Sequence, residues 1–260
     1  MPELVKNIKG FNLLELLVVV VIIGVLSAVA YPNFSAWQKD RKVRSDAIKV
    51  LELFNSVNSQ VQRGSYPFMQ IHIIVHKSES DYPNGYVEFI TKGMNQATLA
   101  TLRNNNTGDW HNSAITKCKT EDTLSESNPY WDAAGNDPSA PLEVRHLISE
   151  NLAVHFSNGS IGGDTPDSEA AICFSNDGSF YSGAGAFNNS GTIDSWLFAC
   201  LRSKTQNQCS MEITGDPTDN EIKYLFGINW SRFGHMKLEK WSPKRSGLAC
   251  DTNTCKWVLQ

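Results

Sequence analysis

The chain has 260 residues, a formal net charge of −4 and 41% hydrophobic residues. It shows no internal repeat and no low-complexity tract. After a short polar start and one long helical stretch about 200 residues remain, enough for a single domain with a real core. Charge is unevenly spread: residues 1–76 hold eight Lys/Arg against five Asp/Glu, residues 77–200 six against sixteen, and residues 201–260 nine against six. Solvated loops account for the acidic middle without any special function.

Met1 to Gly10 form the polar start, with Lys6 and Lys9. From Phe11 to Tyr31 come twenty-one residues in which Glu15 is the only charge. As a helix rising about 1.5 Å per residue this run reaches roughly 31 Å, against a hydrocarbon core of about 30 Å, which predicts one membrane crossing. A secretory signal peptide carries its apolar region before the cut and ends it in small residues; here a polar segment precedes the apolar run and ends in Gly, the reverse order. A carboxylate in a membrane helix costs about 2.5 to 3.5 kcal/mol at the bilayer centre and less near the interface, so Glu15 calls for a cation. Lys6 and Lys9 are candidates, and if residues 1–10 are removed, the amine of the new terminus takes their place.

Gly10-Phe11, Glu15, Gly24, Pro32 and the apolar run together resemble the N-terminus of type IV prepilins and type II secretion pseudopilins. The resemblance covers roughly Lys6 to Phe34. It implies cleavage by prepilin peptidase between Gly10 and Phe11, N-methylation of Phe11, and pairing of Glu15 with a neighbouring subunit's terminal amine during filament assembly. Gly24 and Pro32 fall where that family loosens its helix, and Asn12 stands where it usually has Thr or Ser. The implied partners are other pilins or pseudopilins, the peptidase, an inner-membrane assembly platform and, before assembly, membrane lipid. The implied location is a single pass through the inner (cytoplasmic) membrane with the head in the periplasm or exterior, then a pilus or pseudopilus.

One rule disagrees. Lys39, Arg41, Lys42 and Arg44 follow the span and only Lys6 and Lys9 precede it, so a positive-inside count places the C-terminal side in the cytoplasm. The six cysteines, Cys118, Cys173, Cys200, Cys209, Cys250 and Cys255, all follow the span, and their even number fits three disulfides in an oxidising compartment. Fifteen connectivities are open. The simplest local assignment joins Cys250 to Cys255 and Cys200 to Cys209, leaving Cys118 with Cys173. A zinc site from the last four with His235 is the rival, but its spacings are looser than the close Cys pairs of structural zinc.

Beyond Pro32, the positions Phe34, Trp37, Ile48, Leu51, Phe54, Val57 and Val61 fall mostly at three- and four-residue steps between charges, predicting an amphipathic helix that Gly64 and Ser65-Tyr66-Pro67 end. Segments 66–76, 86–92, 151–156, 169–175, 178–183, 193–201, 222–230, 235–240 and 256–259 read as short antiparallel strands. Asn176-Asp177-Gly178 marks a tight hairpin. Residues 93–141 read as irregular, with a short helix near Ala97 to Arg103. The expected architecture is α+β and pilin-like: a leader (1–10), a membrane or filament-core segment (11–31), an amphipathic continuation (32–63) and a β-rich, disulfide-bonded head (64–260). The Ile172–Phe180 hairpin, the strand pair after the helix and the Trp230–Leu238 segment further resemble the GspH/FimT group of minor pilins and pseudopilins.

No nucleophile, phosphate-loop or metalloprotease motif appears and the six histidines are scattered, so no enzyme and no cofactor are expected. His72 and His76 share one strand face without forming a helical metal pair. Asp132, Asn136 and Asp137, or Asp216, Asp219 and Glu221, carry oxygen ligands suited to calcium, but neither set follows the twelve-residue loop pattern, and plain turns are the simpler reading. FimT-like pilins are associated with DNA capture; here Arg232, Lys237, Lys240, Lys244 and Arg245 interleave with Trp230, Phe233 and Trp241, against Glu239 alone. If residues 235–240 form a strand, Lys237 and Glu239 share one face and Met236, Leu238 and Lys240 the other, which is also the pattern of a solvated edge strand. The expected function is a minor pilin or pseudopilin, with a DNA- or ligand-binding head as the alternative.

Overall fold

Asn12 opens the first element. Its side-chain oxygen accepts from the Leu14 amide at 3.4 Å and its carbonyl from the Leu16 amide at 3.2 Å, the N-cap arrangement that satisfies otherwise orphaned donors. From there α1 runs as one helix, Leu13–Gln62, straight through Pro32. Its end is a Schellman turn: the Gly64 amide donates to Val61 and the Ser65 amide to Gln60, both at 3.0 Å, with Gly64 at a φ of 75° that only glycine adopts cheaply. The computed structural model describes residues 12–76, 78, 80–97, 99–100, 118, 142–156, 168–178, 180–182, 196–202, 209, 224–230, 235–243 and 255–260.

The chain divides into two units, Met1–Arg41 and Lys42–Gln260. In the first, twelve large apolar side chains from Leu13 to Leu26 stand between 47% and 80% exposed. Among the described residues no helix is long and apolar enough to cross a membrane. The side chains of residues 28–31, inside the twenty-one-residue run, and of 32–33 just after it lie outside the description.

Among the described residues the second unit joins the rest of α1 to ten strands: β1 (Phe68–His76), β2 (Tyr86–Met94), β3 (Leu142–Ser149), β4 (Leu152–Phe156), β5 (Ser168–Ser175), β6 (Phe180–Ser182), β7 (Trp196–Leu201), β8 (Phe226–Trp230), β9 (Met236–Pro243) and β10 (Cys255–Leu259). They form two five-stranded antiparallel sheets, ordered β3-β2-β1-β5-β6 and β10-β9-β8-β7-β4. One core takes α1 through Val43, Ala47, Val50, Phe54, Val57 and Val61, the first sheet through residues such as Ile71, Phe89 and Ile172, and the second through Leu197, Phe226, Ile228 and Trp230. Strand alternation sends the intervening residues to the far faces, where two smaller clusters each enclose a disulfide: Cys118–Cys173 among Phe68, Met94 and Leu99, and Cys200–Cys209 among Phe198, Leu225 and Trp241. The Cys250–Cys255 assignment lies outside the described residues.

Three expectations need correction. The buried helical stripe is Val43-Ala47-Val50-Phe54-Val57-Val61, whereas Phe34, Trp37 and Ile48 are exposed at 54%, 51% and 36% and Leu51 is half-buried. A period of 3.6 carries the stripe through small Ala47, which an eye set for large residues passes over. The segment 142–149 is a strand, β3, absent from the expected set; among the described residues it is an edge strand that pairs with β2 alone, across a register shift at Thr91/Lys92, and exposed Arg145 and His146 dilute its apolar pattern. Lastly, β9 is no edge strand: β8 and β10 flank it.

Candidate functional site

Glu15 sits in the first turn of α1, where the helix dipole favours a carboxylate, and it has no ion-pair partner among the described residues. Around it Leu13, Leu14, Leu16 and Leu17 are all more than half exposed. Gly10 and Phe11, the expected cleavage pair, lie outside the described residues. A methyl group added at Gly24 would meet nothing within 4 Å, so no close contact in this subunit requires glycine there. Further along the same unit the Phe34 and Trp37 rings lie 5.7 Å apart, and the Arg41 guanidinium sits 4.9 Å above the Trp37 ring.

In the second unit the sequence reading missed three polar centres. Asp46 is 8% exposed on the buried side of α1; its carboxylate accepts from Lys49 Nζ at 2.8 Å, Ser149 Oγ at 2.9 Å and Asn151 Nδ2 at 2.9 Å. Burial alone would raise its pKa, but the hydrogen bonds and the Lys49 charge outweigh it and hold the carboxyl below its ordinary value. Asp46 lies inside the stripe Val43-Asp46-Ala47-Val50, but the partners that hold it there are 103 and 105 residues away in sequence.

Arg202, 6% exposed, donates from Nε to the Leu152 carbonyl at 3.0 Å and from Nη1 to the carbonyls of His76 and Asn84 at 3.1 and 3.2 Å; its amide donates to Asn151 O at 2.8 Å. Burial lowers its pKa to about 10, so it stays charged at neutral pH. Asp46, Asn151 and Arg202 thus form a polar chain that pins the β3–β4 crossover between the sheets to α1 and to the β1–β2 hairpin.

Glu88, third, is held from both sides: His76 Nε2 lies 2.7 Å from one carboxylate oxygen and His146 Nε2 contacts the other. Tyr86 stacks on His76 with centroids 4.2 Å apart. His76 pairs with Tyr86 and His146 with Ile90, on opposite sides of β2, so the two imidazoles reach the one carboxylate from the two strands that flank it. Among the described residues no group of three or more His, Cys, Asp or Glu could hold a metal ion.

The basic stretch is divided. Lys237 lies on the far face of β9 with Glu239, whereas Lys240 is on the opposite face, its Nζ 5.5 Å from the Phe226 ring centre. Arg232, Lys244 and Arg245 lie outside the described residues, as do the two calcium candidate sets. On that far face Trp196, Phe198, Trp241 and Trp257 pack with centroids 5.1 to 5.6 Å apart over Gly227, part of the satellite core.

Residues 5–31 match the family described as the prokaryotic N-terminal methylation motif. The chain is similar to the type IV wide pilus major component PilA4 of Thermus thermophilus, 39% identical over 75 residues that cover 26% of this chain and 53% of that protein. It is also similar to the type IV major pilin protein PilE1 of Neisseria gonorrhoeae, 28% identical over 161 residues that cover 54% of this chain and 85% of that protein. The match thus spans about half the length of the first relative. No solved structure matches the chain. Through its N-terminal segment the chain is a member of the type IV prepilin-like superfamily.

Proposed function

We propose that this chain is a structural filament subunit: prepilin peptidase cuts it between Gly10 and Phe11, Phe11 is N-methylated, and α1 carries it through the inner membrane and then into a filament beside other pilins. The observation that carries this reading is the coincidence of the methylation-motif match over residues 5–31 with an uncovered apolar helix start whose one charge is Glu15. Exposed apolar surface on that scale calls for a cover, and lipid before assembly and neighbouring helices after it provide one. Glu15 then pairs with the Phe11 amine of a neighbouring subunit. The disulfides favour a head beyond the membrane, in the periplasm or exterior. An assembly platform in the inner membrane is the implied partner that extracts the subunit.

Both relatives are pilus components by name, which favours a pilus over a secretion pseudopilus. A head of ten strands in two sheets suits a minor subunit present in few copies, of the GspH/FimT-like kind or another. The test is intact-mass analysis of the native protein with two variants. The mature chain is expected to lack residues 1–10 and to carry one added methyl group; Gly10→Ala blocks this processing, whereas Glu15→Ala spares it and lowers recovery in sheared filaments. A native protein with Met1–Gly10 still attached overturns the reading.

A further inference from the structure

Lys39, Arg41, Lys42 and Arg44 stand where the positive-inside bias is unfavourable, and assembly through the apolar helix gives them no task. All four are exposed, and Asp40 is the one acid among residues 34–45. Phe34, Trp37 and Arg41 follow one another at three- and four-residue steps, so they share one side of α1, as their ring and guanidinium contacts show. Helical side chains lean toward the helix N-terminus, which carries the Arg41 charge back over the Trp37 ring. Trp37 lies about 9 Å beyond Tyr31 along the axis, and a headgroup layer extends about 5 to 7 Å past the hydrocarbon core. With that lean, the ring and guanidinium fall at the level of the lipid phosphates, where Trp and Arg are both at home.

We propose that Phe34, Trp37, Lys39 and Arg41 form an interfacial collar that binds anionic phospholipid headgroups and fixes the depth of the unassembled subunit. The collar rests on the membrane-crossing reading above. The aromatic rings occupy the boundary layer, the Arg41 fork donates to phosphate while stacked on Trp37, and Lys39 supplies further attraction. Basic residues on the far side of the span then serve lipid binding rather than orientation.

The test uses the full-length chain with phosphatidylcholine vesicles and with phosphatidylcholine–phosphatidylglycerol vesicles, read by flotation, by the selectivity for spin-labelled lipid, and by quenching with lipids brominated near the headgroup. The chain is expected to float with both vesicle types and to prefer labelled phosphatidylglycerol about five-fold for each engaged cation. Lys39→Glu with Arg41→Glu should bring the two lipids to parity while leaving flotation and far-UV spectrum intact. The quenching lost in Trp37→Phe should identify Trp37 at the headgroup level. Parity in the native chain, or an unquenched Trp37 in a chain that floats, overturns the collar alone. Failure to float with either vesicle overturns the membrane-crossing reading and the collar with it. Concentration-dependent crosslinking in detergent that Trp37→Ala abolishes, together with lipid parity, assigns the strip to a second copy of the chain and likewise overturns the collar.

Discussion

The Ser149 hydroxyl donates a 2.9 Å hydrogen bond to the Asp46 carboxylate across 103 residues of chain, fastening the point where the polypeptide leaves one sheet for the other onto the helix that both sheets cover. Asn151 repeats the contact two residues later. Between them only Glu150 intervenes, so the crossover is held on both sides of its turn.

Replacing Asp46 by Ala strips the buried Ser149 and half-buried Asn151 donors of their acceptor and should cost about 3 kcal/mol, read by chemical denaturation. Lys49→Ala should cost under about 0.5 kcal/mol, because the Lys49 side chain is 55% exposed and its pair is solvent-screened. The folded carboxyl titrates below 3.8 and the unfolded one near it, so this stabilisation is complete above pH 3.8 and is lost as pH falls through the folded value. Asp46→Asn should therefore show a flatter acid limb below about pH 4 than the native chain.

His155 gives a second pH dependence, of the same direction but higher on the scale. Burial lowers its pKa below 6.5, and its Nδ1 is buried beside Phe198 with no hydrogen-bond partner among the described residues. The unfolded imidazole takes a proton near pH 6.5 that the folded one resists, so stability is complete above 6.5 and declines as pH falls toward the folded value. His155→Phe should retain the ring packing and flatten the stability profile between about pH 7 and 5, as followed by denaturation midpoints.

The sequence was most readable where one physical demand acts alone. An apolar run with one acid, a glycine at the helix end and alternating strands bounded by turn residues each reflect local chemistry, and Gly64, β1, β2, β4 and β5 fall where that chemistry puts them. Even the Asn12 departure is intelligible, since Asn, like Ser and Thr, offers the side-chain acceptor that caps α1. What escaped depends on partners distant in sequence. Asp46 reads as a solvated charge until Ser149 and Asn151 are beside it, Arg202 until three carbonyls from β1, its turn and β4 surround it, and β3 has too few apolar residues to announce itself without β2. Lys237 and Lys240, by contrast, fall on opposite faces of β9 as the two-residue period of a strand alone requires.

Gly227 has a role that composition does not announce. A Cβ built there would come within 2.6 Å of the Trp196 ring and 3.1 Å of Trp257, so the two indoles close over bare backbone. Gly227→Ala should destabilise the head by about 1 to 3 kcal/mol and weaken the near-UV tryptophan signal. In a double-mutant cycle, Trp196→Ala should cancel most of the added cost, because the clash then has no partner.

The two disulfides should differ in weight. Cys118–Cys173 closes a separation of 55 residues and Cys200–Cys209 one of 9, and both pairs are buried in satellite clusters on the far faces of their sheets. In the chain-entropy account the longer loop restricts the unfolded chain more, about 4 kcal/mol against about 2.5. Paired alanine replacements should follow that order in denaturation midpoints, with Cys118→Ala/Cys173→Ala the more destabilised. The reverse order would show that Cys200 and Cys209 act mainly by packing under Phe198 and Trp241 and not by shortening the free chain.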